Sequence, residues 1–118
     1  MYEYKCKLIR VVDADTVICN VDLGFSVVLA NQRIRFYGID TPESRTRNKE
    51  EKKLGLNAKA RTKELISKQF IMKTHKDAKG KFGRILGEPL VDGVSICDIL
   101  IKEGHARPYF GGTKEEWV

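Results

Sequence analysis

The residues with chemical potential cluster in the segment "RIRFYGIDTPESR", Arg33 to Arg45, where two alternating arginines are followed at once by Asp40, Pro42 and Glu43. On an extended strand Arg33, Arg35 and Tyr37 share one face, and Ile34 and Phe36 share the other. Upstream, Val17, Cys19 and Val21 also share a face. Continuing that parity backwards brings the carboxylate of Asp15 to the rim of the apolar side. Where strand ends converge at a barrel mouth, Asp15 and Asp40 can lie side by side. Two such carboxylates repel each other unless a cation lies between them, and an all-oxygen site suits calcium or magnesium rather than zinc. Thr41 can add its backbone carbonyl. The plainer reading is that Asp13 and Asp15 form a turn and that Asp40 to Glu43 opens a loop, since Asp and Pro are ordinary turn residues.

The elements needed to position these groups are legible as hydrophobic pattern. Tyr4–Val12 and Thr16–Leu23 read as two strands joined by a tight corner at Asp13 and Ala14. "DLGFS" supplies a turn into a long extended stretch, "VVLANQRIRFYGI", with a bulge expected near Ala30 and Asn31. The run "SRTRNKEEKK" has no apolar residue and reads as an exposed basic loop. From about Leu56 to Gln69, Ala58, Thr62, Leu65 and Ile66 fall on one face of a helix, with Asn57 as its candidate cap. "FIMKTHK" is a fourth strand, "DAKGKFG" a hairpin loop, and "RILGEPLV" a fifth strand that Pro89 would confine to an edge. A second helix is expected from Ser95, presenting Ile96, Ile99 and Leu100 and stopping at Gly104. Five short strands with a helix between the third and fourth and another helix at the C-terminal end fit a partly open, five-stranded Greek-key barrel of the OB type, an α+β fold.

Length and composition bound the possibilities. The 118 residues suffice for one domain, 1–118, and are too few for two ordinary ones. The balance of 22 Lys+Arg against 16 Asp+Glu, formally +6, favours an anionic partner such as nucleic acid. "MYEYKCKLIRVV" lacks the uninterrupted apolar core of a secretion signal, so a cytoplasmic location is expected. No apolar run approaches the ~20 residues needed to span a bilayer. Cys6, Cys19 and Cys97 are odd in number and lack C-x-x-C spacing, which argues for buried thiols rather than disulfides or a zinc ribbon. His75 and His105 have no partner at ligand spacing.

"VVDADTVIC", "RIRFYGIDTPESR" and "KFGRILGEPL" resemble, in order and spacing, the three signature segments of the staphylococcal-type thermonuclease family, from about Lys5 to Phe110. The resemblance implies an OB-type barrel and a calcium-dependent phosphodiesterase that acts on DNA and RNA and leaves 3′-phosphate ends. It implies that Asp15 and Asp40, with the main-chain oxygen of Thr41, hold one calcium ion. Arg35 and Arg84 would be paired guanidiniums on the scissile phosphate, and Glu43 the general base or the residue that orients the attacking water. The chemistry asks for such a set. A phosphodiester repels hydroxide and gains charge as water attacks, so a divalent ion, paired N–H donors and a carboxylate near the water meet its needs.

Lys81 and Phe82 stand where the family usually has a lysine and a tyrosine against a terminal phosphate. Tyr109, Tyr37 and Phe82 are candidates for stacking on bases or for packing. Lys49, in the basic loop, is a candidate for holding the strand electrostatically. No obligate protein partner is evident, and a monomer is expected. Three departures from the family's pattern bear on expectation: Ala14 stands where the family usually has Gly, and neither the long terminal helix of the secreted enzymes nor a signal sequence is expected for the chain as given. Two other classes compete with the enzyme. A non-catalytic nucleic-acid-binding module on the same scaffold would be expected to lose the acidic and arginine residues kept here, and a purely structural barrel would leave their combination as coincidence.

Overall fold

The computed structural model describes residues 2–75 and 85–118. The "DAKGKFG" loop, and with it Lys81, Phe82 and Arg84, lies outside the described residues. The three N-terminal strands form an antiparallel meander, β1 (Glu3–Asp13), β2 (Thr16–Gly24) and β3 (Val27–Phe36), followed by the short β4 (Ile39–Asp40). Helix α1 (Lys49–Leu65) leads to β5 (Gln69–His75) and β6 (Ile85–Val91). The two-residue β7 (Val94–Ser95), helix α2 (Ile96–Lys102) and the two-residue β8 (Arg107–Pro108) complete the order. The main sheet runs β3-β2-β1-β5-β6-β7, and a parallel pairing of β3 with β6 at Ile34–Ile85, Arg35–Leu86 and Phe36–Gly87 closes it into the expected five-stranded barrel. Among the described residues no helix is long and apolar enough to cross a membrane.

Side-chain alternation places the core as expected. Val17, Cys19, Val21, Ile34 and Phe36 are all buried, together with Ile39, Met72, Ile96 and Leu100. Fully burying each of the larger side chains contributes about 1.5–3 kcal/mol. All three cysteines are free and buried. Register shifts in both strand pairs re-aim the meander. In β1, Ile9 is left without a partner between Leu8–Cys19 and Arg10–Ile18, and Val12 between Val11–Val17 and Asp13–Thr16, where Val11 and Val12 are both inside. Ala30 and Asn31 together oppose Asn20, and Asn31 adopts φ 55° while its N–H donates to Asn20 Oδ1 at 2.9 Å. This is the expected bulge, with an Asn in the left-handed region that Asn tolerates well.

Three expectations need correction. Helix α1 begins at Lys49, well before Leu56, so Lys49 to Lys53 are helical rather than loop. The cap is Asn48, not Asn57: its side chain accepts from the N–H groups of Glu50 and Glu51, at 3.0 and 3.1 Å. An all-polar run hides a helix start because an exposed first turn needs no apolar face, and Glu50 and Glu51 favour the positive end of the helix dipole. Pro89 does not confine β6 to an edge. It is fully buried opposite Met72. On its other side β6 meets β3 at residues 85–87 and β7 at 90–91, so Pro89 occupies the gap between those pairings, where its missing N–H breaks no ladder. Finally, α2 buries Ile96, Cys97 and Leu100, and Ser95 sits at its N-cap without a side-chain capping bond.

Candidate active site

The corner between β1 and β2 carries Asp15, and its geometry is fixed from two sides. The N–H of Phe36 donates to the Asp15 carbonyl at 2.8 Å, tying the corner to β3. From behind, the hydroxyl of Thr62 on α1, itself fully buried, donates to the Ala14 carbonyl at 2.7 Å. Ala14 is completely buried and is not among the positive-φ residues, so this corner folds with Ala in place of Gly without strain. The second carboxylate, Asp40, lies on β4, which pairs with β8 through Ile39–Pro108 and Asp40–Arg107. Gly38 precedes it at φ 80°, and a Cβ there would meet the Phe110 ring at 3.1 Å. Only glycine lets the chain turn from β3 into this ribbon beneath that ring.

Arg35 joins the two carboxylates. Its Nη1 lies 3.1 Å from Asp15 Oδ2 and donates to the Phe36 carbonyl at 3.1 Å, while Nη2 lies 3.9 Å from Asp40 Oδ1. Asp15 and Asp40 are both buried apart from a sliver of surface. The hydroxyl of Thr16 donates to the other Asp15 oxygen at 3.0 Å. One guanidinium thus faces two nearly buried carboxylates, and a second positive charge comes from Lys114, whose Nζ lies 3.3 Å from Asp40 Oδ1. Charges this buried persist only when opposed.

Thr41, next along, is buried, and its Oγ1 has no hydrogen-bond partner among the described residues. Among those residues no three His, Cys, Asp or Glu side chains cluster as a ready metal cage. What is assembled is a pair of carboxylates with threonine oxygens beside them. That oxygen-only donor set fits a hard cation such as calcium, which completes its shell with carbonyls and water.

Helix α1 also holds the loop bearing Glu43. The backbone N–H of Glu43 donates to Glu51 Oε2 at 3.0 Å. Gly55 lies directly under the loop: a Cβ at that position would stand 2.5 Å from the Glu43 carbonyl carbon and oxygen and 2.6 Å from the Ser44 nitrogen. The Glu43 side chain itself is exposed. Arg61 on the same helix makes a two-pronged pair with Glu103 beyond α2, at 2.7 and 2.8 Å. The guanidinium holds the Glu103 carboxyl below its ordinary range. One helix therefore positions the Asp15 corner, the Glu43 loop and α2.

Of the residues singled out in the sequence, Asp15, Arg35, Asp40 and Thr41 come together at one end of the barrel. Glu43 stands on the adjoining loop, and Lys49 is an exposed residue at the start of α1. Tyr109 is half-buried; its N–H donates to the Gly38 carbonyl at 2.8 Å and its hydroxyl to the Gly112 carbonyl at 2.9 Å. Tyr37 stacks on His75 with ring centroids 3.9 Å apart and meets the edge of Phe110 at 5.7 Å. Sequence reasoning missed Lys114, Trp117 and Phe110. The first two touch Asp40, since Trp117 Nε1 also donates to Asp40 Oδ2 at 3.3 Å. Nothing in the segment after Arg107, where Lys114 is the single basic residue, marked them out. A groove of about 730 Å³ bordered by Lys5, Lys7, Asn20, Phe70 and Leu90 lies toward the other end of β1 and β2 and contains none of these groups.

Comparison with known proteins identifies the chain's relatives. The chain is 36% identical over 100 residues to an SPbeta prophage-derived endonuclease YokF of Bacillus subtilis, covering 83% of this chain and 32% of the relative. It is 34% identical over 102 residues to endonuclease YncB of the same organism, covering 83% and 44%. It is 32% identical over 109 residues to a thermonuclease of Staphylococcus hyicus, covering 92% and 61%. The chain thus spans between a third and three fifths of the length of these relatives. A family model described as staphylococcal nuclease homologue matches residues 33–116, and the chain belongs to that family.

Proposed function

We propose that this chain is a calcium-dependent nuclease that hydrolyses phosphodiester bonds of DNA and RNA with little sequence specificity and leaves 3′-phosphate ends. The observation that carries the reading is the Asp15–Arg35–Asp40 cluster, two nearly buried carboxylates bracketing one guanidinium at the barrel end. A barrel that needed only stability gains little from such an arrangement, because apolar side chains of similar volume serve as well or better. The endonucleases and thermonucleases among its relatives support the same reading.

In this reading Asp15, Asp40 and the main-chain carbonyl of Thr41 hold one calcium ion. When bound, the ion supplies Lewis-acid neutralisation of the phosphate charge. Arg35, with Arg84, directs N–H donors at the non-bridging oxygens, and each such donor is worth roughly 3–4 kcal/mol of transition-state stabilisation. Glu43 takes a proton from the attacking water as the water oxygen bonds to phosphorus. The bond from phosphorus to the 5′ oxygen breaks, leaving a 3′-phosphate on one product and, after protonation by solvent, a 5′-hydroxyl on the other. Lys49, Lys81, Phe82 and Tyr109 contact the strand through its phosphates and bases. A site that reads phosphate carries little base preference.

The test is cleavage of single-stranded and duplex DNA with calcium, with magnesium and with a chelator, using Asp40→Ala as control. Calcium-dependent cutting that the substitution abolishes is the expected result. Binding without cutting under any metal would instead identify a non-catalytic nucleic-acid-binding module.

A further inference from the structure

After β8 the chain doubles back over the barrel end. Gly111 and Gly112, at φ 104° and 91°, reverse its direction. Arg107 then clamps the returning segment: its Nη1 donates to the Glu116 carbonyl at 3.0 Å, and its guanidinium lies 3.9 Å above the Trp117 ring. This delivers two donors to Asp40, one to each oxygen. Lys114 Nζ is 3.3 Å from Oδ1, and Trp117 Nε1 donates to Oδ2 at 3.3 Å. The two differ in kind. Lys114 is half-exposed and brings a full positive charge. Trp117 brings a neutral N–H on a ring that is already packed.

We propose that residues 113–118 form an exchangeable lock on Asp40, in which Lys114 is a built-in cation that gives way to a divalent ion while Trp117 remains as a positioning residue for the carboxylate. The proposal rests on the reading of Asp40 as a cation ligand. An ammonium and a calcium ion compete at Oδ1, because two positive charges held against one oxygen repel each other. The indole has no such conflict. Its hydrogen bond to Oδ2 fixes the carboxylate plane and leaves Oδ1 for the metal, as outer partners of metal ligands commonly do. Displaced Lys114 has Tyr109 within reach, its Nζ already lying 5.4 Å from that ring. Its charge then becomes free for an approaching nucleic acid.

Calcium binding to the full chain, followed by calorimetry and by the emission of its single tryptophan, tests the proposal. Removing a competing, half-exposed ion pair in Lys114→Ala should tighten calcium about two- to fivefold. Lys114→Arg, which keeps the charge, should return the wild-type affinity. Trp117→Phe, followed by calorimetry alone, should weaken calcium binding. In the wild type, emission should change with the same midpoint as the heat. If calcium binds but Lys114→Ala leaves the affinity unchanged and Trp117 emission does not respond, the lock is refuted and the nuclease reading stands. If no variant binds calcium at all, the lock falls together with the assignment of Asp40.

Discussion

Replacing Gly55 by Ala adds one methyl group to an otherwise favourable helix position, and its effect can be worked out from the backbone around it. A Cβ there would lie 2.5 Å from the Glu43 carbonyl carbon and oxygen and 2.6 Å from the Ser44 nitrogen. Ordinary contact is about 3.5–4.0 Å, so one side must retreat by roughly 1 Å. Both sides are backbone, and no flexible side chain can absorb the overlap. Taken alone, Ala in place of Gly in a helix gains about 1 kcal/mol. Overpacking of this kind costs about 1–3 kcal/mol, so the net change in stability is small, a loss of roughly 0–2 kcal/mol. The effect on catalysis is larger. A shift of ~1 Å in a catalytic group can cost on the order of a hundredfold in rate. Gly55→Ala should therefore remain folded, bind DNA in calcium about as well as wild type, and turn over roughly a hundredfold more slowly. Single-turnover cleavage beside thermal unfolding measures both quantities. A variant with a raised unfolding midpoint and wild-type turnover would refute the reasoning, because the loop would then have yielded without moving the Glu43 carboxylate.

Glu43→Gln removes the carboxylate but not the loop, and should lower turnover by about a hundredfold to ten-thousandfold with DNA affinity, read by fluorescence anisotropy, unchanged. The Arg61 guanidinium holds the folded Glu103 carboxyl below its ordinary value of 4.5, so the pair's contribution is present above that pH and is lost as pH falls through the folded value. Glu103→Gln should accordingly unfold at lower temperature than wild type near pH 7, with the difference vanishing in acid. Burial pushes the Cys97 thiol up to about 12. A thiol reagent at pH 8 should leave Cys97 unmodified in the native protein and modify it readily once the chain is unfolded in denaturant.

The parts of the fold legible in the sequence were those carried by short-range periodicity. Alternation along Arg33–Tyr37 separated Ile34 and Phe36 from Arg35, and backward parity from Val17 found Asp15, because a strand's period of two holds wherever one face is buried. The start of α1 was not legible, since an exposed first turn carries no apolar signature and a solvated helix and a charged loop look alike. Pro89 misled because its tolerance depends on which neighbours β6 meets on each side, a property of the closed barrel alone. Lys114 and Trp117 were invisible for a similar reason. Their link to Asp40 depends on a two-residue ribbon between β4 and β8, too short to leave a pattern. The close approach at Gly55 could not be read either: a single glycine inside a helical stretch gives no hint of which backbone lies against it.

The parallel pairing of β3 with β6 has a kinetic meaning as well. The contacts that form the meander are nearly all between sequence neighbours, whereas closing the barrel joins residues roughly fifty positions apart and must first meet the entropy of that loop. Asp15 and Arg35 lie on the early side of that step, within the meander, whereas Asp40 is placed by the still longer-range pairing of β4 with β8. Refolding should therefore bring Asp15 and Arg35 together before the barrel shuts, with Asp40 joining them last. Substitutions along the Ile34–Ile85 seam should then act mainly on the rate of unfolding, and those in the β1–β2 corner on the rate of folding.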